Sequence, residues 1–322
     1  MIGASAKVEE QRRTADKDSL PPRRLAASPP PSAPPRARRR GLPPGTIKYT
    51  AIYVVLGLYC IFSIVVFFWV VLTAFKSNTD VLLYPPWHIP DTFHWENLRD
   101  AWDRGIGTMF RNSLIVAGCG TIGSVALSCL AAYPIARIPF RFSQPLLMFF
   151  LMGIMIPYPL TAIPLFKIVE SLRQDHTWIN AYVILIVLYT VGGVSFNTFV
   201  MTGFYKTLPF ELEEAAALDG ASPLRTFWQV MLPLARPGIA SLLILNFVSW
   251  WNEFFYALLF VREKSQYTVT LGLTYLDQQA VYTAKYVGLF AGMTLTMIPV
   301  LIIFAILQKQ IARGLTVGAL KG

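Results

Sequence analysis

Trp250, Trp251, Asn252 and Glu253 stand side by side in SWWNEFFYALLF (249–260), inside a stretch otherwise apolar enough to lie in a membrane. A carboxylate near the middle of a bilayer costs about 3 kcal/mol or more, so Glu253 faces a polar interior or sits close to an interface. An amide and a carboxylate beside two indoles make a grip for a sugar: the polar groups bond hydroxyls and the aromatic faces take the apolar side of the ring. Two readings fit these residues, the lining of a solute pathway or an aromatic belt at the membrane surface with a hydrated acid beside it.

A second constellation lies just upstream, in EEAAALDGASPLRTFWQVMLPLARP (213–237). Leu208-Pro209 starts a helix, with proline at a first position where its missing N–H costs nothing. Glu211, Glu213 and Glu214 fill the early turns, where negative charge meets the positive end of the helix dipole. Leu212, Ala215 and Ala216 share a face at helical spacing, and Gly220 ends the helix by adopting positive φ. Ser222-Pro223 then reads as the cap and first turn of a second helix carrying Leu224, Phe227, Trp228 and Met231, closed by Pro233. This predicts a helix-turn-helix with one small-residue face and one large apolar face, and such an exposed surface implies a partner. Nucleic acid is not that partner, because the second helix offers only Arg225 and Gln229 to bases and phosphates. The alternative is an amphipathic hairpin lying on the bilayer.

The elements that must position these residues are membrane spans. The chain is 54% hydrophobic and 14% charged, against a charged share of roughly a quarter in soluble domains. Apolar runs of about twenty residues, the length that crosses the hydrocarbon core, predict an all-α polytopic membrane protein. Six spans are expected: Thr50 to Phe75, Asn112 to Tyr133, Pro145 to Phe166, Ala181 to Gly203, Ile239 to Val261 and Val287 to Leu307. The hairpin falls between the fourth and fifth. The N-terminal tail, the loop at Arg137 and Arg141, the hairpin loop and the C-terminus hold 19 of the 28 basic residues. That asymmetry puts both termini and the hairpin in the cytoplasm.

Residues 1–46, rich in proline and arginine and poor in large apolar side chains, form a disordered tail by composition. Their basic charge suits contact with anionic membrane lipid. Arg23-Arg24 is followed by proline-rich sequence and not by an apolar stretch, so no cleaved signal is expected. Residues 47–322 form the membrane domain. In its second span Gly120, Ser124 and Ser128 make a small-residue face for close helix packing. In its third, Pro157, Pro159 and Pro164 kink or interrupt the helix, either lining a cavity or only shaping the packing. Cys60, Cys119 and Cys129 fall inside apolar runs and lack metal-like spacing. His88, His94 and His176 lie in loops.

The run Glu214-Ala215-Ala216, Gly220, Val230 and Leu232-Pro233 matches at each spacing the "EAA" motif, and the chain resembles the permeases of ABC importers. WWNEFFYALLF and the tail ARGLTVGALKG from Ala312 to Gly322 resemble the carbohydrate branch, in particular the maltose-type second permease. The resemblance runs from about residue 47 to the end. It implies a bacterial cytoplasmic-membrane subunit that moves a sugar by alternating access. Its implied partners are a second, homologous permease, two copies of a cytoplasmic ATPase, and an extracellular or periplasmic sugar-binding protein. It implies that Glu214, Ala215, Ala216, Asp219, Gly220, Leu232 and Pro233 couple to the ATPase, with Trp250, Trp251, Asn252 and Glu253 on the sugar pathway. ATP-Mg belongs to the ATPase subunits: this chain has no Gly-rich phosphate loop with Lys-Ser/Thr and is expected to bind no cofactor and to be no enzyme. Two other classes compete. An ion-coupled carrier would want intramembrane charges, of which only Glu253 qualifies. A membrane glycosyltransferase would want clustered carboxylates, and Asp100 and Asp103 lie among compensating arginines.

Overall fold

The computed structural model describes residues 46–319, which form helices joined by turns, with no strand among the described residues. The proline- and arginine-rich tail proposed for residues 1–46 lies outside them, apart from Thr46. The chain divides into two units, Met1–Leu58 and Tyr59–Gly322. Of the first, the described part is the start of the helix Thr46–Ala74. The packing and contacts described below lie in the second.

Among the described residues four helices are long and apolar enough to cross a membrane: Ile52–Ala74, Glu96–Arg137, Ala181–Thr207 and Val287–Ile306. Two further pairs, Ser143–Met155 with Tyr158–Asp175 and Pro223–Leu234 with Arg236–Trp251, are bent by 87° and 71° and bring the number to six if each is one span. The third predicted span is therefore not one rod. Ile156, forced out of the α region by the proline after it, is extended, and the chain restarts as a 3-10 turn at Tyr158–Thr161 before the helix Ala162–Asp175.

The fifth is also interrupted. Arg236–Trp251 has 16 residues, about 24 Å at 1.5 Å per residue, short of the roughly 30 Å hydrocarbon core. The helix stops at Asn252 and resumes as Phe255–Phe260. That six-residue helix is held from outside at its far end: the Arg173 guanidinium donates to the Phe260 carbonyl at 2.7 Å, and Arg262 pairs with Glu170. Phe260 itself is buried, packed with Val169 and Ile184.

The core joins Gly107–Arg137 to Ala181–Thr207. Gly120, Ser124 and Ser128 face Tyr189, Gly193, Val194 and Asn197 of the second of these helices. A Cβ at Gly120 would stand 2.5 Å from that of Tyr189, so glycine is what lets the two backbones approach. In the same layer Asn197 and Asn246 bond each other reciprocally, at 3.1 and 2.8 Å, while Asn197 also donates to Ser124 Oγ at 2.8 Å. All three are buried. Amides this deep in an apolar bundle are stable only when paired, because an unpaired buried amide costs about 1–3 kcal/mol.

Outside the bundle, the Ser77 N–H and hydroxyl close a capping box with Asp80 and hold its carboxyl below the usual carboxylate range. Asp100 and Asp103 pair with Arg104 and Arg99 on an exposed helical surface. Cys60 and Cys119 are exposed and Cys129 is buried, all three as free thiols, and the described residues hold no metal-like cluster of histidine, cysteine or acidic side chains.

Candidate coupling surface and pathway residues

Leu208, extended before Pro209, ends the helix Ala181–Thr207, and a new helix runs from Glu211 to Leu218. Its stop is a complete Schellman motif: the Ala221 N–H bonds the Ala216 carbonyl at 2.9 Å and the Gly220 N–H bonds the Ala217 carbonyl at 3.0 Å. The motif requires a left-handed residue, and Gly220 supplies it at φ +76°. A Cβ there would meet nothing within 4 Å, so the demand for glycine within this chain is conformational.

Glu214, Ala215, Ala217, Leu218 and Asp219 are exposed, Leu218 at 90%. Ala216 is not. At 8% exposure it turns into the protein beside Glu213, so the small-residue face read from the sequence as Leu212, Ala215 and Ala216 is rotated by part of a turn.

Ser222 caps the second arm, its hydroxyl accepting from the Arg225 N–H at 3.3 Å, with Pro223 in the first turn. The expected row of large apolar residues divides in two. Phe227 and Met231 are buried with Tyr133 and Tyr205, while Leu224 and Trp228 are exposed. Pro233 does not close this arm. A π turn over Phe227–Met231, in which the Leu232 N–H reaches back to the Phe227 carbonyl, lets the chain continue through Leu232–Leu234 despite the N–H that proline lacks. The arm then bends into Arg236–Trp251, so Leu232 and Pro233 are half-buried at the root of that helix.

One contact was not legible beforehand. Arg137, the last residue of Gly107–Arg137, places its Nε 3.6 Å from the Glu213 carboxylate, with both side chains largely enclosed. The available signal was a lone arginine ending an apolar run, facing a loop rich in glutamate.

Beyond the end of Arg236–Trp251, Glu253 is a cap. Its carboxylate accepts from the N–H groups of Tyr256 and Ala257, at 2.7 and 3.2 Å, and from the Tyr189 hydroxyl at 2.9 Å. Its backbone carbonyl accepts from Thr270 Oγ1 at 2.6 Å. Trp250 stacks on the Tyr189 ring at 4.7 Å, nearly parallel, and Trp251 is buried with its indole N–H on the Thr296 carbonyl. Asn252 is exposed, its amide donating to the Val248 carbonyl, and it opens onto a cavity of about 430 Å³ shared with Trp251, Thr270, Met293, Thr296 and Met297. The four residues are thus divided: Trp251 and Asn252 line the open space, while Trp250 and Glu253 turn to Tyr189. Tyr189, a phenol in the run ILIVLYTVGG, was the sequence signal for the acid's partner.

Residues 124–317 match the family described as binding-protein-dependent transport system inner membrane component. The diacetylchitobiose uptake system permease protein NgcG of Streptomyces coelicolor is 33% identical over 85% of this chain and 90% of its own length. The trehalose/maltose transport system permease protein MalG of Thermococcus litoralis is 30% identical over 84% of this chain and 94% of its own. A crystal structure of a bacterial ABC transporter involved in the import of alginate superposes with a TM-score of 0.68 at 20% identity, covering 82% of this chain and 96% of that one, and shares the fold. The chain belongs to the family of binding-protein-dependent transport system inner membrane components, as a multi-pass permease subunit of an ABC importer and not an enzyme.

Proposed function

We propose that this permease carries a sugar, with a second homologous permease, two copies of a cytoplasmic ATPase that hold ATP-Mg, and an extracytoplasmic sugar-binding protein. Ser143–Met155 with Tyr158–Asp175 counts as one span and Arg236–Trp251 with Phe255–Phe260 as another, giving six spans with both termini and the 208–235 hairpin in the cytoplasm. The observation that carries this reading is the helix Glu211–Leu218, stopped by Gly220 and exposed along Glu214, Ala215, Leu218 and Asp219. An exposed apolar and acidic helix face, on a chain whose sequence has no Gly-rich phosphate loop with Lys-Ser/Thr, suits docking on a motor. ATP-driven closure of the ATPases moves the docked helices, and the bundles rock about a central solute site. The solute enters the cycle only through its differing affinity for the two states. The sugar assignment rests on the substrates named for the relatives, on the sequence resemblance and on the aromatic–amide surface at Asn252.

Purification of the complex tests the assignment: the permease brings down an ATPase whose hydrolysis rises with sugar-loaded binding protein. A complex without ATPase would point to an ion-coupled carrier or a membrane enzyme. In intact cells, cysteines introduced at Gly45 and Ser222 resist impermeant thiol reagents while one at Thr92 reacts, and labelling of Ser222→Cys from outside sinks the six-span topology. At the pathway, Asn252→Leu lowers sugar uptake about tenfold, the effect of about 1.4 kcal/mol, with the complex still assembled, because its amide bonds only within its own helix turn. Uptake kinetics unchanged from wild type would return these residues to the interfacial-belt reading.

A further inference from the structure

We propose that the Arg137–Glu213 pair is the joint through which motion of the docking helix reaches the membrane bundle; this rests on the reading of Glu211–Leu218 as the ATPase-docking element. Little of that helix faces the protein. Leu212, Glu214, Ala215, Ala217 and Leu218 are exposed, leaving Glu213 and Ala216 as its inward side chains.

Arg137 meets the helix and the turn before it at several points. Its Nε lies 3.6 Å from Glu213, its Nη2 donates to the Leu208 carbonyl and, at 3.5 Å, to that of Pro209, and its guanidinium lies over the Phe210 ring at 5.9 Å from the centroid. One side chain therefore gathers residues 208–213 onto the cytoplasmic end of Gly107–Arg137. That is the helix that shares the Ser124–Asn197–Asn246 layer with two other spans.

The pair is enclosed, with side-chain exposures of 9% and 12%. The Arg137 Nε and Glu213 Oε1 atoms have no hydrogen-bond partner among the described residues. Arg137 also has the Leu208 and Pro209 carbonyls and Glu213 the Tyr133 phenol, but neither has another counter-charge among the described residues, so removing one strands its partner in a poorly hydrated place. A loose connection would absorb displacement of the docking helix, whereas a planar guanidinium fixed at several points passes it on. Arg137 and Glu213 are thus positioning residues: neither touches nucleotide or sugar, and neither lies on the exposed docking face.

The test uses the complete reconstituted transporter with Arg137→Met, Glu213→Gln and the double variant Arg137→Met/Glu213→Gln. Each single change lowers binding-protein-stimulated ATP hydrolysis at least about tenfold and speeds backbone amide exchange across 208–221, as expected when a stranded charge loosens the contact. The double variant loses no more than the worse single, because the two side chains act as one contact. Stimulation at the wild-type level in both single variants, unchanged amide exchange, or losses that add in the double variant overturn the joint. If the singles shed the ATPase, amide exchange across 208–221 in the remaining membrane complex decides: faster exchange supports the joint and unchanged exchange overturns it. Failure of the wild-type complex to hold an ATPase would instead strike the functional reading beneath it.

Discussion

Gly220→Val leaves the permease in the membrane and abolishes binding-protein-stimulated ATP hydrolysis together with uptake. Gly220 sits at φ +76° with open space where a Cβ would be, so valine meets no clash inside the chain and the bundle folds. What it cannot do is hold the left-handed conformation at low cost. The strain is about 1–3 kcal/mol, and the chain relieves it by giving up the Schellman bonds of Ala221 and Gly220, unwinding the last turn of the helix Glu211–Leu218. Losing about 1.4 kcal/mol of complementary surface is already a tenfold loss of occupancy. Glu214→Lys, which reverses the charge at the exposed start of the same face, gives the same pair of losses. Co-purification of the ATPase with sugar-stimulated hydrolysis in vesicles measures both. If both variants keep wild-type stimulation, this hairpin is not the coupling element.

The second large effect is on stability. In Gly193→Ala the new Cβ would stand 2.6 Å from Asn246 Oδ1 and closer still to Ser124 Oγ. The Ser124 and Asn246 side chains must turn away, and the Asn197–Asn246–Ser124 bonds break with them. Overpacking costs about 1–3 kcal/mol and a stranded buried amide about as much again, so the loss is roughly 3 kcal/mol or more. Thermal unfolding in detergent shows it as a lower midpoint and a smaller monodisperse fraction. Gly203→Ala, on the same helix with nothing within 4 Å, is the control and is neutral or slightly stabilising, since alanine is the better helix former by about 0.5–1 kcal/mol. Equal midpoints for the two variants would remove the packing argument.

The hairpin could be read from sequence because its signals are local. Pro209, the glutamates of the first turn, Gly220 and the Ser222-Pro223 cap each act within a turn of where they stand. The division of Phe227 and Met231 from Leu224 and Trp228 could not be read in the same way. It is decided by Tyr133 and Tyr205, which approach from other helices and cover one side of the arm. The continuation past Pro233 leaves no local mark, because a π turn has no strong residue signature.

The reading of Glu253 shows the same limit. An acid in an apolar run announces a compensated charge, but its compensation comes from Tyr189, 64 positions away, and from amides exposed by a helix break that the apolar pattern hides. Arg137 was legible as a topological charge, and its role as an ion-pair partner depended on which face of the next helix turned inward.

The short helix Phe255–Phe260 bears on how the protein is made. Six residues are well below the roughly 12–15 at which an isolated helix becomes even marginally stable in water, and this one is framed by side chains from elsewhere. Glu253 caps its start while bound to Tyr189, and Arg173 holds the carbonyl of its last residue. Both outside partners precede it in the chain, so during synthesis from the N-terminus the two templates are already placed when residues 253–260 emerge. Assembly of this stretch is therefore directional. A circular permutant whose synthesis began in the 208–235 hairpin would release the same six residues before Arg173 and Tyr189 existed to receive them.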